Sequence, residues 1–183
     1  MLKEIPSSIG FFSATLVTLN ISHNMLNSDT FFSEELELPE LKELNISCNT
    51  IDSLQPLIER LQAPKLIKLD ISFNRLSSLP VLKPHFQNLV TLFASNNAIR
   101  ELSSEAVRGL TTLDCSSNEI NSLNPRIGLL GGPGGLQRLD VSGNRFRVPK
   151  YTVLEKGTEA TLAWLKDRVP ANELPPQGSG DDE

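Results

Sequence analysis

The stretch LIKLDISFNRL at residues 66–76 decides the fold, because five variants of the same phrase recur along the chain. The other copies are LVTLNISHNML at 16–26, LKELNISCNTI at 41–51, LVTLFASNNAI at 89–99, LTTLDCSSNEI at 110–120 and LQRLDVSGNRF at 136–146. All six follow L-x-x-L-x-L-x-x-N-x-L with conservative replacements. The successive pattern asparagines are 25, 25, 23, 21 and 26 residues apart, and they are Asn24, Asn49, Asn74, Asn97, Asn118 and Asn144. Six copies in a fixed order indicate one structural unit that is stacked six times.

The L-x-L centre of each copy predicts a short β-strand, because alternating residues place two apolar side chains on one face. These inward pairs are Leu19 with Ile21, Leu44 with Ile46, Leu69 with Ile71, Leu92 with Ala94, Leu113 with Cys115 and Leu139 with Val141. One coil cannot bury such a face, whereas stacked coils share a core behind a parallel sheet. The pattern asparagines are expected to bond the backbone groups that lack partners where the chain turns away from each strand.

The return segments are bulkier than the strands, so the predicted fold is an α/β solenoid shaped as a horseshoe with a concave parallel β-sheet. Residues 57–61 and 104–108 predict single helical turns or 3-10 turns on the convex side. A longer helix is expected where the asparagine spacing reaches 25 residues. The glycine-rich run at 131–135 predicts a loop at the edge of a coil.

The repeated pattern resembles the leucine-rich repeat family. The resemblance implies a protein-interaction scaffold without catalytic residues. A narrower resemblance comes from FRVP at 146–149, KGT at 156–158 and DRVP at 167–170. These strings are similar to the C-terminal end of the family of leucine-rich repeat-containing protein 40 and, more loosely, to the intracellular Ras-group-related repeat proteins.

The chain divides into four predicted segments. Residues 1–15 form a partial or degenerate first repeat, because LKEIP at 2–6 has the form of LSSLP at 76–80, and we expect a fragment of a longer array. Residues 16–146 carry the six repeats. Residues 147–170 form a helical cap, with Thr158 as the expected N-cap and Leu162, Leu165 and Val169 on one buried face. Residues 171–183 have the composition of a disordered acidic tail.

Charge and cysteine content exclude several classes of protein. The formal net charge is −5, and without Asp181, Asp182 and Glu183 it is −2, which argues against nucleic acid as the main partner. The apolar stretch at 9–19 is shorter than a membrane span and lacks the features of a signal peptide, so we expect no membrane insertion and a cytoplasmic protein. Cys48 and Cys115 belong to coils three apart, roughly 14 Å at a strand spacing of ~4.8 Å, which is too far for a disulfide.

Outward strand positions form the concave face, the usual binding surface of a solenoid. Phe73 and Phe93 come from adjacent coils, and we expect both to be exposed as an aromatic patch at the centre of a protein-binding or peptide-binding site. The alternative is that the two rings stack on one another or tuck into the sheet edge. The surrounding candidate residues are His23, Asp70, Arg75, Asp114, Arg138 and Asp140. A column of serines at 22, 47, 72, 95, 116 and 142 is expected to bond the local backbone.

The sequence carries no pattern typical of an enzyme. His23 and His85 fall in different kinds of position, so no metal-ligand pair is predicted, and we expect neither a metal nor a cofactor. Asp114 and Asp140 share a column in adjacent coils, but they have no predicted acid-base partner or cleft. The sequence therefore predicts a non-enzymatic binding module. Two alternatives stay open: an assembly role through the N-terminal end, and, by family analogy alone, a regulatory subunit of a phosphatase or small-GTPase complex. The oligomeric state is not predicted.

Overall fold

The computed structural model describes residues 1–32 and 34–174. Within these residues the chain forms eight strands: β1 (Thr18–Asn20), β2 (Leu36–Glu37), β3 (Glu43–Asn45), β4 (Leu61–Gln62), β5 (Lys68–Asp70), β6 (Thr91–Phe93), β7 (Thr112–Asp114) and β8 (Arg138–Asp140). The α-helices are α1 (Gln55–Arg60), α2 (Ser104–Val107), α3 (Tyr151–Leu154) and α4 (Thr158–Lys166). Three 3-10 helices cover Ser7–Phe12, Pro125–Leu130 and Ala171–Glu173.

The main sheet of the described residues has six parallel strands in the order β1-β3-β5-β6-β7-β8. Its register pairs the central leucines of neighbouring strands, namely Leu19, Leu44, Leu69, Leu92, Leu113 and Leu139. All twelve residues of the predicted inward columns are buried, with Leu139 the most exposed at 9%. The structure therefore confirms a continuous apolar core behind a parallel sheet.

The pattern asparagines join each coil to the one before it. Asn118 donates from Nδ2 to the carbonyl oxygens of Ala94, Cys115 and Ser116 at 3.0–3.1 Å, and its Oδ1 accepts from Ile99 N at 3.0 Å. The same arrangement recurs at Asn49, Asn74, Asn97 and Asn144. Each amide thus satisfies backbone groups that the sheet leaves without partners, as the sequence predicted.

The return side carries short helices and a second, two-stranded parallel sheet of β2 and β4. Helices α1 and α2 lie at the predicted return segments, and Ser103 caps α2 by accepting from Ala106 N at 3.1 Å. The expectation of a longer helix in the 25-residue coils is wrong for the coil from Asn24 to Asn49, because its described residues between Asn24 and strand β3 contain turns and β2 but no helix. The physical reason is Asn27, whose Oδ1 accepts from Asp29 N and Thr30 N at 3.0 Å and closes a tight turn instead.

Helix α4 packs against the last coil. Leu162, Leu165 and Val169 are all buried, as the sequence predicted, but only the two leucines belong to α4, because the helix ends at Lys166. Thr158 is not the N-cap, which is Gly157; its hydroxyl instead accepts from Leu139 N at 2.9 Å, on strand β8. This difference arises because β8 has a backbone N–H to satisfy and the hydroxyl is within reach.

The prediction of a disordered tail from residue 171 is wrong for the first three of its residues. Residues Ala171–Glu173 form a 3-10 helix, and Glu173 pairs with Arg126 at 2.9 Å. The rest of that predicted segment, residues 175–183, lies outside the described residues.

The first residues follow the pattern of the later coils. Leu2 N donates to Asn24 Oδ1 at 2.8 Å, just as Leu76 N donates to Asn97 Oδ1 at 3.0 Å. This equivalence supports the predicted alignment of residues 2–6 with 76–80. Within the described residues, no helix is both long enough and apolar enough to span a membrane.

Candidate interaction surface

The outward side chains of the main sheet form parallel columns, and the residue three positions after each of these strands adds one more column at the strand ends. We call these columns together the sheet face. The column after each central leucine contains Asn20, Asn45, Asp70, Phe93, Asp114 and Asp140, placed side by side by the strand register. The column before it contains Thr18, Glu43, Lys68, Thr91, Thr112 and Arg138. Because parallel strands are about 4.8 Å apart, neighbours within a column are close enough to act together on one partner.

The carboxylates of the sheet face also have a local structural role. Asp70, Asp114 and Asp140 are half-buried, and each accepts a hydrogen bond of 2.9–3.0 Å from the backbone N–H of the serine two residues later. Asn20 and Asn45 make the same bond at 3.1 and 2.9 Å. The prediction that the serine hydroxyls bond the local backbone is therefore wrong. At five of the six positions the serine contributes its backbone N–H, and the hydroxyls of Ser22, Ser47 and Ser142 donate to the Asn or Asp side chain two residues earlier at 2.7–2.8 Å. The hydrogen bond needs a side-chain oxygen but not a charge.

Phe93 lies in β6 between Asp70 of β5 and Asp114 of β7. The expectation that Phe93 is exposed holds only in part, because the residue is half-buried. Lys68 contributes to this burial, with its Nζ 5.8 Å from the ring centroid, and the same ammonium lies 3.5 Å from Glu43. An ammonium at this distance is attracted by the ring quadrupole, so the Phe93 face already accommodates a cation.

Phe73 is the most unusual side chain of the sheet face. It is 55% exposed, and its backbone is left-handed at φ 55°. The left-handed region is costly for a bulky residue, typically by ~1–3 kcal/mol. Phe73 and Phe93 do not form a ring pair, so the predicted alternative of stacked rings is wrong; the aromatic pair of the described residues is Phe31 with Phe32, in the core.

The other candidate residues are spread along the sheet. His23 is exposed at the end of β1, three strands away from β6. Arg75 is exposed just after the asparagine of its coil, and Arg138 is exposed in β8. The structure therefore brings Asp70, Phe93, Asp114 and Asp140 together in one column, with His23 in a separate region of the same face.

Two features were missed by the sequence reasoning. The first is Lys68, whose ammonium lies beside the Phe93 ring but which is not among the candidate residues taken from the sequence. The second is that the whole column containing Phe73 is left-handed, with φ between 53° and 70° at His23, Cys48, Phe73, Asn96, Ser117 and Gly143. Gly143 and Asn96 in this column were the available signal, since both residue types tolerate positive φ.

The groups with the most reactive chemistry among the described residues are the thiols and the potential metal ligands. Among the described residues, no group of three or more His, Cys, Asp or Glu is arranged to hold a metal ion. Cys48 and Cys115 are free thiols. Burial raises the pKa of the Cys115 thiol well above its usual range, and the charges of Asp114 and Asp140 raise it further. A fully buried, protonated thiol is a poor nucleophile.

Comparisons with known proteins agree on the type of fold. A family model described as Leucine Rich repeat matches residues 38–53. A solved leucine-rich repeat protein of Leptospira interrogans is similar in structure, with a TM-score of 0.60 and 23% sequence identity. The match covers 84% of this chain and 44% of that protein, so the chain spans less than half of its length. The chain therefore has a leucine-rich repeat fold.

Proposed function

We propose that the chain is a non-enzymatic binding module that holds a protein or peptide on the sheet face. Leucine-rich repeat domains generally mediate protein–protein interaction, and the outward columns described above offer aromatic, charged and polar groups on one continuous surface. Phe73 and Phe93 are the central contacts in this proposal. Asp70 and Asp114 flank Phe93 on the neighbouring strands, and Arg138 and Asp140 lie on β8, one strand beyond Asp114. Arg75 follows Phe73 by two residues, and His23 lies at the β1 end of the face.

The observation that carries the proposal is the environment of Phe73. Its side chain is mostly exposed, so it contributes little to the core, and its left-handed backbone would be less strained with asparagine or glycine. Asn96 and Gly143 fill the equivalent positions of other coils. An aromatic residue that costs stability and stays accessible is explained by contact with a partner, because aromatic anchors supply much of the energy at interfaces.

The test compares affinity capture from native extract by the wild-type chain and by a Phe73→Asn, Phe93→Asn double variant. Asparagine suits both positions, since Asn96 is left-handed and Asn45 makes the serine turn. We expect the double variant to fold and to lose partners at least ~10-fold in recovery, the equivalent of about 1.4 kcal/mol in binding free energy. Recovered proteins are quantified by mass spectrometry.

The matched control replaces two exposed phenylalanines away from the sheet face. Phe11 and Phe12 are 90% and 61% exposed, so a Phe11→Asn, Phe12→Asn variant removes the same number of phenyl rings elsewhere, and at more exposed positions. We expect it to retain the partners that the sheet-face variant loses. Unchanged capture by a folded Phe73→Asn, Phe93→Asn variant would refute the proposal.

Several finer features belong to the same proposal. We place the module in the cytoplasm, which the free thiols Cys48 and Cys115 support, since disulfides are rare in reducing compartments. We further propose the overall horseshoe shape, α4 as a C-terminal cap and membership of the group of leucine-rich repeat-containing protein 40. Assembly through the N-terminal end is the alternative function, and solution scattering at several concentrations distinguishes it, because the mass of an assembling chain rises with concentration.

A further inference from the structure

The C-terminal end carries a cleft that is separate from the sheet face. It has a volume of about 330 Å³ and lies between the end of the last coil and helices α3 and α4. Val148, Val153 and Trp164 provide its apolar lining, and Val148 is 51% exposed. The remaining lining residues are Arg147, Lys150, Thr152 and Arg168.

The walls of the cleft are held in place by hydrogen bonds. Arg147 N donates to Asn121 O at 2.8 Å, and Val148 O accepts from Leu123 N at 3.1 Å, which fixes one wall to the preceding coil. Arg168 lies on the ring of Trp164, with its Cζ 3.5 Å from the ring centroid and its Nη1 donating to Trp164 O at 2.8 Å. A guanidinium that is already stacked loses little conformational freedom when it binds a carboxylate.

Positive charge is concentrated in this cleft. Arg147, Lys150 and Arg168 are all exposed, and none of them takes part in the ion pairs found among the described residues. No acidic side chain lines the cleft, although the chain as a whole has a net charge of −5. Glu155 and Asp167 are exposed on the neighbouring helix ends but do not line it. The cleft therefore combines an apolar lining with three cations that take part in no ion pair among the described residues.

We propose that this cleft binds an acidic peptide segment of a partner protein. The carboxylates of the segment pair with Arg147, Lys150 and Arg168, and one of its apolar side chains packs against Val148, Val153 and Trp164. A peptide fits better than a nucleic acid, because three cations neutralise few phosphates, and because a peptide can supply the apolar side chain that matches the lining of the cleft. The inference is independent of the sheet face and of the function proposed for it.

The experiment selects peptides from a displayed random dodecapeptide library on the full chain. The peptides recovered are then measured by fluorescence polarisation against an Arg147→Glu, Lys150→Glu variant. The control is a Lys3→Glu, Arg108→Glu variant, which has the same net charge and alters two exposed residues outside the cleft. Circular dichroism verifies that both variants are folded.

We expect a class of peptides rich in Asp and Glu with at least one large apolar residue. Their Kd should rise about 10-fold or more with the cleft variant and by less than a factor of about 2 with the control. Raising the salt concentration should weaken the binding, because exposed charge pairs are screened. The Phe73→Asn, Phe93→Asn variant should bind these peptides normally, which separates this result from the outcome for the sheet face.

Four results would overturn the inference. The first is a selection in which no peptide loses affinity for the cleft variant, and the second is a cleft-dependent class without acidic residues. The third is tighter cleft-dependent binding of a single-stranded oligonucleotide than of the selected peptides. The fourth is self-association that the cleft variant abolishes, since this would assign the cleft to a second copy of the chain.

Discussion

At the scale of single residues, the pattern asparagines hold the coils together unequally. Asn118 is buried and makes four hydrogen bonds, two of them to the preceding coil. Asn24 is only half-buried; its Nδ2 donates within its own coil, and its Oδ1 accepts from Leu2 N. Loss of a buried partner costs the desolvation of every group left unsatisfied, so these two asparagines should differ in energetic weight.

Asn118→Ala should lower the free energy of unfolding by about 3 kcal/mol or more, because it leaves several buried backbone groups without partners. Asn24→Ala should cost about 1 kcal/mol, since water can reach the groups it releases. Urea unfolding followed by circular dichroism measures both values. Equal losses for the two variants would contradict the role assigned to the buried amide.

The buried thiol of Cys115 makes stability depend on pH at the alkaline side. Its pKa is raised in the folded chain by burial and by the charges of Asp114 and Asp140, whereas an unfolded thiol titrates at about 8.5. Above that pH the unfolded state releases a proton that the folded state keeps. The contribution of this thiol to the free energy of unfolding is therefore fully present below about pH 8.5. Above that pH it declines by up to about 1.4 kcal/mol per pH unit.

Cys115→Ala should flatten this alkaline decline. Alanine is compatible with the position, because Ala94 fills the same inward column in the neighbouring coil and is fully buried. Urea unfolding between about pH 8 and 10 in the presence of a reductant gives the slope for each chain. An identical slope in wild type and variant would show that Cys115 does not cause the decline.

At the scale of elements, the contact between α4 and the last return segment depends on Gly128. This residue is buried, and a Cβ at its position would lie 2.3 Å from Lys166 N and 2.6 Å from Leu162 O. Both atoms belong to the helix backbone and cannot move independently of it. The absence of a side chain therefore allows α4 to approach the coil.

Gly128→Ala should displace α4 and lower the free energy of unfolding by about 1–3 kcal/mol. Gly10→Ala is the matched control, because a Cβ there meets nothing within 4 Å and its φ is not in the left-handed region. We expect the control to be neutral or slightly stabilising, since alanine restricts the unfolded chain. Thermal and urea unfolding of the two variants provide the comparison.

The strands and the buried columns could be predicted from the sequence because the leucine spacing imposes both period and register. The turn at Asn27 could not, since its side chain competes with helix formation through bonds that spacing does not reveal. The N-cap prediction for Thr158 fails for a similar reason. Its hydroxyl bonds Leu139, and this contact between distant parts of the chain is visible only in the folded structure. On the sheet face, the columns were predictable, but the position of Lys68 over Phe93 depends on side-chain packing between coils.

At the scale of the whole molecule, stability should be highest in the middle of the array. Strands β5, β6 and β7 each have a neighbour on both sides, and the leucines between them are fully buried. By contrast, the 3-10 helix at Ser7–Phe12 contains no buried residue. In a solenoid each repeat is stabilised mainly by its neighbours, so the ends open more readily than the centre.

Amide hydrogen exchange should reflect this gradient. The N–H groups of Ile71 and Ala94, which donate across the central strands at 2.8 and 2.7 Å, should exchange slowest. The N–H of Ser13, which closes the exposed 3-10 helix, should exchange at least ~100-fold faster. Nuclear magnetic resonance or mass spectrometry measures the rates. Uniform protection along the chain would instead indicate a single cooperative unit.

The asparagine amides give the molecule a direction that has a consequence for its synthesis. Asn49 accepts from Leu26 N and donates to Ile21 O, so its amide satisfies backbone groups of the preceding coil, which is synthesised first. Asn144 likewise accepts from Ile120 N and donates to Cys115 O of the coil before it. During translation, each newly synthesised coil therefore lacks these hydrogen bonds until the asparagine of the next coil has been synthesised. If translation pauses at a coil boundary, only the most recent coil has backbone groups without these partners, because the earlier coils have already received theirs.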